Sequence, residues 1–89
     1  MTARTYQEIR SYSPQFDCTV ARISIPDDNG QEFFMLVPQR NPRQRRAERY
    51  AACEAIQEAI DAGLQPGEVR VTPDTWRDMV AEHLRERAA

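Results

Sequence analysis

Apolar residues crowd two neighbouring runs, Phe16 to Ile25 and Phe33 to Val37, and then recur at helical spacing through the rest of the chain. In the first run Phe16, Cys18 and Val20 share one side and Ala21, Ile23 and Ile25 the other, the alternation of a strand rich in β-branched and aromatic residues. The change of side at Val20 predicts a bulge or a strand buried on both faces. Pro26-Asp27-Asp28-Asn29-Gly30 comes next, where Asn-Gly supplies the positive φ angles of a hairpin turn. A return strand is expected from Gln31 to Val37, apolar on both faces. Upstream, Thr5, Tyr6, Ile9 and Tyr12 suit a strand, while Tyr6 and Ile9 also suit a helix. Residues 1–13 therefore read as an edge strand or an irregular arm, ended by Ser13-Pro14.

After the hairpin the period changes. Asn41 is a good N-cap, Pro42 fits the first helical position, and Gln44 stands where a capping-box partner would, which predicts a helix running to about Ala62. Ala52, Cys53, Ile56, Ala59 and Ile60 fall on one stripe that would pack on the hairpin. Gly63 is read as a left-handed cap, Leu64 as folding back on the last turn, and Pro66 as a stop. Glu68 to Val71 is a short strand, with Val69 and Val71 on one side. Thr72-Pro73-Asp74 starts a second helix in which Trp76, Met79, Val80, His83 and Leu84 form an apolar stripe. The order strand, strand, helix, strand, helix predicts one small α+β domain with an antiparallel sheet packed against two helices.

Composition narrows the function classes. At 89 residues the chain fits a single domain with a small core. No apolar run approaches the ~20 residues of a bilayer span, and MTARTYQEIR lacks the apolar middle of a secretory signal, so a cytoplasmic protein is expected. Cys18 and Cys53 have no metal or redox spacing and are expected as reduced, buried thiols. His83 is the only histidine, and no Ser or Cys lies near it in sequence to build a catalytic dyad. Gly30, Gly63 and Gly67 each belong to a turn or cap, which leaves no glycine-rich phosphate loop. The chain is therefore expected to be neither an enzyme nor a cofactor carrier.

Charge supplies the one local anomaly. All twelve basic residues are Arg, against fourteen acids, for a net charge of -2. Up to Cys53 eight arginines face six acids, and beyond it four face eight, so the chain is polarised from +2 to -4. Arg40, Arg43, Arg45, Arg46 and Arg49 gather at the start of the first helix, where the helix dipole favours acids, with Glu48 the only acid among them. Arg45 and Arg49 share the angular stripe of Ala52 and Ile56, and Tyr50 stands on the flank beside them.

Two kinds of reading stand side by side. In one the arginines are a solvated face, or pair with Asp27, Asp28 and Glu32 at the hairpin turn, and Tyr50 packs on the N-terminal arm. In the other, Arg40, Arg43, Arg45, Arg46, Arg49 and Tyr50 form a docking surface for an acidic protein, since Arg forks onto carboxylates and Tyr is common at interface hot spots. A small domain of this kind fits the accessory factors or inhibitors of phages and mobile elements. Phosphate backbones are the alternative ligand, disfavoured by the acidic total. An acidic decoy built on Glu54, Glu58, Asp61, Asp74, Asp78, Glu82 and Glu86 is interrupted by Arg70, Arg77, Arg85 and Arg87. An exposed strand edge leaves a homodimer open as well.

Overall fold

The computed structural model describes residues 5–88. Its elements run β1 (Gln7–Ser13), β2 (Cys18–Pro26), β3 (Glu32–Gln39), a 3-10 turn (Pro42–Gln44), α1 (Arg45–Asp61), β4 (Gly67–Glu68) and α2 (Pro73–Ala88). The class is α+β, as the hydrophobic pattern predicts, with one more strand than that pattern resolves. The described part of the N-terminal segment is edge strand β1, and residues 1–4 lie outside the described residues. The sheet order is β1-β2-β3-β4, antiparallel through β3, whereas β4 joins β3 in parallel. The sheet is therefore mixed rather than antiparallel throughout. The returning chain crosses by way of α1, and a crossover of that kind delivers a parallel neighbour.

Two turns set the register. Asp27 closes the β2–β3 connection: its Oδ1 accepts from the amides of Asn29 at 2.9 Å and Gln31 at 2.8 Å, and Gly30 alone of the turn takes a positive φ, +80°. The turn thus rests on an aspartate clasp and one glycine rather than on a left-handed Asn-Gly pair. In the β1–β2 turn Asp17 adopts φ +54° and its carboxylate accepts from the Tyr12 hydroxyl at 2.6 Å. This turn occupies Pro14 to Asp17, so β2 begins at Cys18 rather than at Phe16. Pairing through Val20 is continuous and carries no bulge. Of the two sequence readings, burial on both sides is the one observed, with Val20 and Ser24 buried on the face opposite Ala21, Ile23 and Ile25.

The core lies between the sheet and α1. Ala21, Ile23, Ile25, Phe33, Met35 and Val37 meet Ala52, Ala55, Ile56 and Ala59. Burying each of the large side chains contributes ~1.5–3 kcal/mol, and the alanines let the helix approach the strands closely. A second face of α1, Ala47 and Ala51, packs on Val80 of α2, with Trp76, Met79 and Leu84 around it. Helix α1 is thus sandwiched between the sheet and α2. It ends as its sequence predicts: Gly63 takes φ +72°, and the amides of Gly63 and Leu64 donate to the carbonyls of Ile60 and Ala59. Leu64 itself stays exposed instead of folding back. On the far side of the sheet, register places Ile9, Arg22 and Leu36 in one row, and Arg22 lies 4.2 Å over the Phe34 ring while pairing with Glu32.

Candidate functional site

The start of α1 is built by a cap that works at short range. The Asn41 side chain accepts from the Arg43 amide at 3.0 Å, and Pro42 opens a 3-10 turn before the α-helix proper begins at Arg45. The capping box expected of Gln44 is absent, since its side chain makes no cap hydrogen bond. Gln44 lines a cleft instead.

This geometry divides the arginines. Arg49 leans towards β1, where its Nε donates to Glu8 Oε1 at 2.8 Å, and both side chains are largely shielded from water. The carboxylate and the Tyr6 hydroxyl raise the Arg49 pKa above its ordinary value against the opposing effect of burial. Arg45 is half-buried on the same side. The turn of α1 that carries Arg49 therefore lies against the sheet. Arg40 donates to the Phe16 carbonyl at 3.0 Å and remains exposed. Arg43, in the 3-10 turn, and Arg46, in the first turn of α1, are exposed, with no ion pair among the described residues.

At the hairpin turn Asp27 and Glu32 find partners other than the arginines of the helix start. Glu32 pairs with Arg22, Asp27 is occupied by turn amides, and Arg49 takes Glu8. Tyr50 stands four residues after Arg46 in α1 and is 43% exposed. Its ring sits 6.0 Å from that of His83, so it leans on α2. His83 in turn places Nε2 3.0 Å from Glu54, as a histidine at the edge of the packing.

Sequence reasoning passes over two residues. Arg10 donates to Gln39 Oε1 at 2.9 Å, a side-chain link from β1 across β2 to the end of β3. The alternation of Glu8, Arg10 and Tyr12 along a strand carries that signal, once residues 7–13 are taken as a strand. The second residue is Glu48. Only 7% exposed, it has an Oε1 with no hydrogen-bond partner among the described residues, and burial pushes its pKa up. It lines a cleft of about 370 Å³ between α1 and α2. Its signal is its spacing: Glu48, Ala52, Ala55 and Ala59 stand at i, i+4, i+7 and i+11, an acid at the head of the core stripe.

Cys18 and Cys53 are unbridged and half-buried, and burial raises the Cys53 thiol pKa. Among the described residues no group of His, Cys, Asp or Glu is arranged to hold a metal ion, and no helix is long and apolar enough to cross a membrane. Compared with known proteins, the chain matches no family model, no curated sequence and no solved structure.

Proposed function

We propose that this chain is a non-catalytic binding protein that docks onto an acidic protein surface through the start of α1. The observation that carries the reading is the state of Arg43, in the 3-10 turn, and Arg46, in the first turn of α1: both are exposed and free of ion pairs among the described residues, and the half-exposed ring of Tyr50 follows four residues after Arg46. Arg40 and Arg45 extend the positive field at its edge, while Arg49 anchors the helix to Glu8.

A helix start opposes such charges by ~0.3–1 kcal/mol for each well-placed group. A carboxylate-rich partner removes that penalty and accepts two hydrogen bonds from each planar guanidinium. Tyr50 adds rigid contact area at low entropic cost. Such a partner would be steered in by charge, so association should weaken with salt.

The direct test is fluorescence anisotropy with a labelled Asp/Glu-rich peptide and with labelled DNA and RNA, at low and moderate salt. Saturable peptide binding is expected that weakens with salt and is lost in the R43Q/R46Q double variant. Nucleic-acid binding at moderate salt without peptide binding would replace this function with the phosphate reading. If neither probe binds even at low salt, the arginines are a solvated surface.

A further inference from the structure

The cleft between α1 and α2 takes no part in that docking surface. Its walls are largely carbon, from Pro73, Trp76, Val80 and Leu84, with Glu48 and Gln44 set among them. An ionised carboxylate withdrawn from water costs several kcal/mol unless a cation or several donors face it. At Oε1 Glu48 has neither among the described residues. Arg77, the guanidinium in the wall, is directed to Asp74 at 3.5 Å. Packing alone does not require an acid here, because the same stripe continues as Ala52, Ala55 and Ala59.

The chemistry of the walls selects the ligand. An anion would meet Glu48 and be repelled, and a neutral apolar molecule would leave the carboxylate unpaired. A metal ion would need more ligating groups than the described residues gather at any one place. A guanidinium brings five donors in a fixed fork, most of which would face carbon. An ammonium is a compact charge whose donors can be met by Glu48, by the Gln44 side-chain carbonyl and by water at the mouth, with the Trp76 ring available to the cation. We infer that the cleft is a binding site for a primary alkylammonium group, its nitrogen pairing with Glu48 and its alkyl stem lying against Trp76, Val80 and Leu84. A lysine side chain and a free amine both carry this group, and the two sources differ only in the atoms beyond the far end of the stem.

Trp76 is the only tryptophan, so its emission reports the site without a label. The experiment titrates the full chain with hexylammonium chloride, with 1-hexanol as the neutral analogue, and with Nα-acetyl-lysine methylamide. A saturable change is expected with hexylammonium, at an affinity about tenfold or more above that of hexanol, tenfold being roughly 1.4 kcal/mol. Glu48→Gln should bring the ammonium down to the level of hexanol, and Glu48→Asp, which keeps the charge, should preserve the preference. Binding of the lysine amide identifies the side chain of a polypeptide as the source, and binding of hexylammonium alone identifies a small amine. Equal affinities for amine and alcohol, an unchanged preference in a folded Glu48→Gln protein, or no saturation with hexylammonium would each overturn the inference. Circular dichroism confirms that each variant is folded.

Discussion

Two acids are withdrawn from water on two sides of the same helix, and the chain treats them differently. In the seam between β1 and α1, Glu8 meets Arg49 at 2.8 Å, and elsewhere on β1 Arg10 reaches Gln39 at the end of β3. In the cleft between α1 and α2, Glu48 is buried beside Trp76, Val80 and Leu84, and its Oε1 has no partner among the described residues. In the seam the two charges meet and hold an edge strand to a helix, although Glu8 Oε2 and Gln39 Nε2 have no hydrogen-bond partner among the described residues. In the cleft Glu48 forms no ion pair among the described residues, and its charge is kept at a cost that they do not recover. Natural chains are otherwise locally consistent, so an uncompensated charge points to a role outside stability. The same contrast separates the arginines: Arg49 is bound up in structure, whereas Arg43 and Arg46 are left without acids among the described residues.

The contrast is broken most severely by removing the cation from the seam. Arg49→Leu leaves Glu8 shielded and unpaired, and should lower the unfolding free energy by about 2 kcal/mol, less than for a fully buried pair because Arg49 is partly exposed. Urea denaturation measures it, and a variant as stable as the parent would show that the pair holds nothing.

The opposite sign is expected in the cleft. Glu48→Gln removes a charge that has no partner and should stabilise the protein at neutral pH by about 1 kcal/mol. Burial holds the Glu48 carboxyl above its ordinary value of 4.5, so the unfolded chain ionises first as pH rises. The stability contributed by the protonated form is then fully present below pH 4.5 and is lost as pH climbs through the raised folded value. The gain from Glu48→Gln should accordingly shrink as pH falls towards 4.5. Thermal melts across that range test it, and a gap that stays constant or widens on acidification would refute the assignment.

The smallest effect belongs to the exposed pair on the outer face of the sheet. Arg22 lowers the Glu32 pKa chiefly through their hydrogen bond, so this contribution runs the other way, present above the ordinary carboxylate range and lost as pH drops through the lowered folded value. Glu32→Gln should destabilise, with the smallest change in stability of the three variants, and added salt should erase the difference. A loss as large as that of Arg49→Leu would mean that exposure is a poor guide to these pairs.

Much of the architecture was legible in the residues. The β2–β3 hairpin, the Asn41 cap, the Gly63 cap, the Thr72 start of α2 and the apolar stripe from Trp76 to Leu84 are each set by local chemistry and period. Strand β1 was legible only as one of two readings, edge strand or irregular arm, because Glu8, Arg10 and Tyr12 gain their meaning from the partners Arg49, Gln39 and Asp17. The parallel placement of β4 depends on where α1 delivers the chain. In the site, charge counting finds the arginines but cannot divide them. Arg49 faces Glu8, forty-one residues away in sequence, and nothing in its neighbourhood distinguishes it from Arg46. Glu48 reads as a counter-charge within the cluster until the packing of α2 shows that it faces inwards.

The division of the arginines is the claim on which the functional reading rests, and one paired measurement reaches it directly: affinity for an Asp/Glu-rich peptide and unfolding free energy, both determined for the parent and for R43Q/R46Q. Peptide affinity should fall while stability is unchanged or slightly raised, since the helix dipole no longer opposes two charges. A double variant that keeps its affinity, or that loses stability as Arg49→Leu does, would contradict the division.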